Sequence, residues 1–135
     1  MSEGRLEDVN AINLMFEEMY EGWADNDADE FVKYYNDDAT AILPGSLRDG
    51  KKVIRDMMAA GFAGPLKGSS TVNKRLSLRF IGDDGAVATE EAGILFPGET
   101  TMPENRKIYA TWTLEKRDGL WMIAAYHNSP ALSAA

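Results

Sequence analysis

The 135-residue chain contains no cysteine. Disulfides, thiolate nucleophiles and cysteine-held zinc or iron–sulfur centres are therefore excluded. It has one histidine, so no multi-histidine metal site can come from a single copy. Carboxylates alone can hold a hard cation, but no Asp/Asn-rich stretch has EF-hand spacing, and no metal is expected. Basic residues are scarce, 14 against 22 acidic, for a net charge of −8. That balance repels phosphate backbones and argues against nucleic acid as a partner. No apolar run approaches the roughly 20 residues of a membrane span, and Met1-Ser2-Glu3-Gly4-Arg5 lacks the apolar stretch of a signal peptide. The expected address is cytoplasmic, with no membrane partner. No glycine-rich phosphate loop follows a strand, so no cofactor is implied.

What is present suffices for one core. A chain of this length buries about two-thirds of its unfolded surface, so a single domain over residues 1–135 is expected, with its core at about 6–130. From Leu6 to Ala24, Val9, Ile12, Phe16, Met19 and Trp23 recur at alternating intervals of three and four, one face of a helix. Asp27 is placed to cap a second helix, with Glu30 three residues on. Tyr35-Asn36-Asp37-Asp38 reads as a helix end and turn. Ala39–Leu43 is a short strand closed by Pro44-Gly45. Val53, Ile54, Met57, Met58 and Phe62 mark a third helix.

The remainder reads as strand. Leu76, Leu78 and Phe80 alternate with Arg75, Ser77 and Arg79, so one side is buried and the arginines face out. Ala86–Phe96, Ile108–Glu115 and Leu120–Asn128 follow, and residues 129–135 form a loose tail. Asp118-Gly119 is a two-residue hairpin signal. Three helices first and then a meander of strands make an α+β fold.

Strand parity assigns faces. Pairing Arg117 with Leu120 sets Ala110 opposite His127, and opposed residues share a face. Ile108, Ala110, Trp112, Leu114, Trp121, Ile123 and His127 then point inward together. An even-length loop through Asp83-Asp84 puts Glu91, rather than Glu90, on the inner face, and a loop of odd length would reverse this. A carboxylate buried alone needs a partner or a ligand. His127 is the one side chain with an ordinary pKa suited to proton transfer near neutrality, and Glu91 could orient it. The competing reading is a structural histidine satisfied by a carbonyl, Tyr20 or Tyr35.

The order of elements, the segments Trp23-Ala24-Asp25-Asn26-Asp27, Tyr35-Asn36-Asp37-Asp38-Ala39-Thr40 and Arg117-Asp118-Gly119-Leu120-Trp121, and the ending His127-Asn128-Ser129 resemble the NTF2-like, or SnoaL-like, superfamily. Within it the chain most resembles the bacterial SgcJ/EcaC-like (DUF4440) proteins. The His-x-Ser ending also resembles the association domain of calcium/calmodulin-dependent kinase II. The resemblance implies a cone: three N-terminal helices on a strongly curved, mixed, mostly antiparallel sheet enclosing a pocket. It implies a hydrophobic, oxygenated small molecule as partner, polyketide- or terpenoid-like, and a homodimer through the outer sheet face. If the protein turns over a substrate, it does so as a cofactor-free isomerase, cyclase or lyase, with His127 and Glu91 catalytic. Phe16, Tyr20, Trp23, Phe31, Tyr35, Leu43, Met58, Phe62, Leu78 and Trp112 would bind the ligand. The alternative is a non-enzymatic binding or oligomerisation module. Neither the aspartate pair of ketosteroid isomerase nor the Asp–Arg–Asp set of the epoxide hydrolase has a clear counterpart.

Overall fold

The computed structural model describes residues 2–132. Helix α1 spans Glu3–Ala24, α2 Ala28–Phe31 and α3 Lys51–Phe62. The strands are β1 Tyr35–Leu43, β2 Ser46–Asp49, β3 Ser70–Ile81, β4 Gly85–Leu95, β5 Ile108–Arg117 and β6 Leu120–Pro130, with a 3-10 turn at Glu104–Arg106. They form one sheet in the order β2-β1-β6-β5-β4-β3, antiparallel except for the parallel pair β1–β6. No helix among the described residues is long and apolar enough to cross a membrane.

Local chemistry explains the boundaries. Ser2 caps α1 by accepting from the Arg5 amide at 3.1 Å, and Asp27 caps α2 by accepting from the Glu30 amide at 3.1 Å. These bonds satisfy amides that no helix can satisfy internally. Asp118 and Gly119 both adopt positive φ, 51° and 79°, as a tight hairpin turn requires. The expected strand at 39–43 begins earlier, at Tyr35, because its backbone joins β6 in parallel. Asp37 and Asp38 are exposed in the irregular start of that strand. Residues 46–49, which carry no alternation, become β2 by pairing with β1. Ser129 and Pro130, placed in the tail by sequence, lie in β6; residues 133–135 are outside those described.

The core lies between the inner sheet face and the helices. Ile12, Met15, Phe16 and Met19 of α1, and Ile54, Met58 and Phe62 of α3, meet Ala86, Ala88, Trp112, Leu114 and Ile123. Asp8 ties α1 to the last hairpin: it accepts from the Trp121 indole and the Lys116 ammonium, each at 3.0 Å.

Two departures from ideal pairing decide which side chains face inward. The β3–β4 loop has three residues, since Ile81 pairs with Gly85. Its odd length opposes Phe80 to Ala86 and puts Ala86, Ala88, Glu90 and Ala92 on the buried face. A bulge at Leu76 then turns Arg75 toward the helices, its guanidinium 4.8 Å from the Phe16 ring centre. In the last hairpin Leu114 opposes Ile123 as the turn dictates, but a bulge at Ala124 shifts the register. Trp112 therefore opposes Tyr126, and Ala110 opposes Asn128. A single inserted residue reverses every later side chain.

Close packing of α1 on α2 rests on Gly22. A Cβ there would lie 2.7 Å from the Phe31 amide nitrogen. In an open helix Gly→Ala is favourable by about 1 kcal/mol. Gly22→Ala should instead destabilise by about 1–3 kcal/mol in urea unfolding, as overpacking does; a more stable variant would contradict this contact.

Candidate active site

Between the helices and the inner sheet lies a cavity of about 320 Å³, at the small end of the range for ligand pockets. Its apolar wall includes Met19, Trp23, Phe31, Tyr35, Leu43, Ile54, Met58 and Trp112, and its polar groups come from Tyr20, Arg48, Asn73, Glu90, Tyr126 and Asn128. Of the ligand-contact residues expected from sequence, Tyr20, Trp23, Phe31, Tyr35, Leu43, Met58 and Trp112 line this cavity. Phe16, Phe62 and Leu78 do not: Phe62 is core, Leu78 packs against the core, and Phe16 borders a shallower depression with Asn13, Glu17 and Arg75.

The two residues expected to do acid–base chemistry are elsewhere. His127 follows the Ala124 bulge and is exposed on the outer face, opposite Thr111. Glu91 also faces outward and pairs with the Lys107 ammonium at 3.3 Å. The inward carboxylate is Glu90, only 3% exposed. Its Oε2 accepts from the Tyr20 hydroxyl at 2.7 Å. Its Oε1 accepts from the Trp112 indole at 3.0 Å and the Asn73 amide at 3.4 Å. Among the described residues no cation pairs with it. Three neutral donors replace the water that burial removes, which is what makes this position tenable.

Tyr126 and Asn128, like Arg48 and Asn73 in the same wall, are residues sequence reasoning missed. Tyr126 and Asn128 lie beyond the bulge, where parity counted from the turn fails. The Tyr126 ring sits 4.3 Å from that of Trp112, centre to centre, and its hydroxyl accepts from the Asn128 amide at 2.8 Å. Asn128 is 9% exposed and its Oδ1 has no hydrogen-bond partner among the described residues. Burial pushes the Tyr126 phenol up to about 12, with the Asn128 amide pulling down and the charge of Glu90 adding to the rise. Burial also holds Tyr20 well above the usual phenol range, reinforced by Glu90, and does the same for Tyr35. All three are proton donors at neutral pH.

A family model described as "SnoaL-like domain" matches residues 12–133. The chain belongs to the SnoaL-like family. No curated protein matches it. Among solved structures, a domain with a cystatin-like fold from Nostoc punctiforme matches with TM-score 0.87 and 22% identity, covering 95% of this chain and 80% of that one. An NTF2-like protein from Novosphingobium aromaticivorans matches at 0.82 and 17%, over 96% and 86%. The hexachlorocyclohexane dehydrochlorinase LinA-type3 from Novosphingobium barchaimii matches at 0.79 and 17%, over 96% and 90%. At these identities the likeness is one of fold: the SnoaL-like domain shares their cone, a curved mixed sheet closed by helices.

The raised phenol has a thermodynamic consequence. A tyrosine pKa higher in the folded than in the unfolded state stabilises the fold fully below about 10, and that contribution is lost as pH rises to about 12. Tyr126→Phe should therefore lose stability less steeply than the wild type over this window, read from urea midpoints. An unchanged slope would contradict the burial of the phenol.

Proposed function

We propose that this SnoaL-like domain binds a small, hydrophobic, oxygenated molecule and moves a proton on it without a cofactor, with Glu90 as the base. The observation that carries the reading is a buried carboxylate with no ion-pair partner among the described residues, oriented by Tyr20 and Trp112 in the wall of an apolar cavity. A base of this kind takes a proton from carbon next to a carbonyl, and the carbonyl oxygen gathers the charge. The Tyr126 hydroxyl accepts from Asn128, which leaves its own proton to donate to that oxygen. Returning the proton from Glu90 to a different carbon gives isomerisation; loss of a leaving group instead gives elimination. Trp112 and Tyr35 would hold the flat body of the ligand. The polar groups supporting this reading are all on this chain, and none requires His127.

A simple probe is 2-tetralone, whose α-hydrogens exchange with deuterium once a base removes them. The protein should accelerate that exchange, followed by proton NMR in heavy water. Glu90→Gln should reduce the acceleration by at least about 100-fold, the usual contribution of a positioned base, while His127→Ala stays within about twofold of wild type. Exchange that survives Glu90→Gln, or is lost in His127→Ala, would overturn the assignment. The outer sheet face, with Val72, Leu76 and Tyr109 exposed, is where we place a homodimer contact. Subfamily membership with the SgcJ/EcaC-like proteins fits the same reading.

A further inference from the structure

Arg48 is the one cation in the cavity wall among the described residues. It stands on the edge strand β2, opposite Ala41, which in turn lies opposite Tyr126. Opposed residues share a face, so the guanidinium, Ala41, Tyr126 and Trp112 form one row across the inner sheet. Arg5, Arg55, Arg106 and Arg117 each pair with a carboxylate; Arg48, like Arg75 and Arg79, has no such pair among the described residues. Its Nη1 reaches only the Met58 thioether, at 3.5 Å. Among the described residues, its buried Nε has no hydrogen-bond partner and nothing accepts from Nη2. Burial lowers the guanidinium from its ordinary range without changing its charge at neutral pH.

Glu90 does not supply the missing partner. It lies on β4, four strands from β2, roughly 19 Å along the unrolled sheet at the usual strand spacing. Its hydrogen bonds run to Tyr20, Trp112 and Asn73, which leaves a lone pair for a substrate proton, and no ion pair joins it to Arg48 among the described residues. Tyr126 stands between the two and is acted on by both charges. The cavity is thus polarised, with a cation at the β2 wall and a carboxylate at the β4 wall.

We propose that the ligand carries a carboxylate, and that Arg48 is its anchor. The Nε and Nη2 edge of a guanidinium offers two parallel N–H donors at the spacing of two carboxylate oxygens, and that is the edge left without partners. A ligand anion seated on Nη2 and drawing the guanidinium toward the cavity would also satisfy Nε, which is closed to water in the empty wall. The opposite charge of Glu90 would repel the carboxylate and fix the ligand in one direction, its apolar body along Trp112 and Tyr35. The substrate class is therefore a small hydrophobic carboxylic acid bearing an acidifying carbonyl. This inference rests on the cavity reading above and refines it.

The test compares 2-naphthoate with methyl 2-naphthoate, the same aromatic body with and without the charge. Binding is read by tryptophan quenching and calorimetry on the intact protein. The acid should bind at least tenfold tighter than the ester. Arg48→Met should weaken the acid at least tenfold and leave the ester within about twofold, and Arg48→Lys, which keeps the charge and loses the fork, should fall between. Equal binding of acid and ester by wild type would overturn the inference without need of any variant, as would a preference that survives Arg48→Met. Exchange of 2-tetralone with no acid preference would sink the anchor alone. An acid preference with no exchange would sink the role of Glu90 and leave the anchor standing.

Discussion

A carboxylate carried into an apolar interior must find donors to replace its water, and the cavity wall of this protein is organised around that requirement at Glu90. Tyr20 reaches it from α1, Trp112 from β5 and Asn73 from β3. Three elements far apart in sequence are thereby fixed around two oxygen atoms. An apolar side chain at this position would remove the need for all three donors. Arg75 stands opposite Glu90 on β3 but spends its guanidinium on Asn13 and the Phe16 ring. Keeping an acidic group there with no ion pair among the described residues is hard to account for by stability, since buried charge rarely improves on hydrophobic packing.

The sheet makes this arrangement possible by departing from regular pairing. The three-residue turn after Ile81 and the bulge at Leu76 bring Glu90 inward and Arg75 toward α1. The bulge at Ala124 brings Tyr126 and Asn128 inward and turns His127 out. Bulges also sharpen strand twist and bend, which a sheet needs if it is to wrap a cavity. The same irregularities therefore serve the shape of the cone and the chemistry of its lining. The edge strand β2 adds Arg48 and completes a wall with opposite charges at its two ends.

How far the sequence disclosed this follows from what each signal depends on. The 3.6-residue recurrence of Ile12, Phe16 and Met19, the Asp27 cap and the Asp118-Gly119 turn are local, and each stands where it was read. The α+β class follows from their order, and the SnoaL-like family, resembled in the segments around Trp23, Tyr35 and Asp118, is shown by the family match. The facing of side chains near the turns was also legible: Leu114 and Ile123 oppose each other as counted. Beyond Ala124 it was not, because a bulge leaves no mark in hydrophobic alternation when its neighbours are alanines. Ala124-Ala125 can begin either phase. Glu90-Glu91 posed the same ambiguity, and a turn with two aspartates between glycines did not declare its length. The parallel pairing of β1 with β6 and the existence of β2 depend on long-range partners, which explains why Arg48 was never a candidate.

The inward set of Glu90, Tyr126 and Asn128, against the outward His127, is most directly tested by a ¹⁵N-edited NOE spectrum of the labelled protein, read at the indole N–H of Trp112. The account predicts a slowly exchanging indole proton with cross-peaks to the rings of Tyr20 and Tyr126 and none to His127. A rapidly exchanging indole proton with a cross-peak to the His127 ring would contradict it.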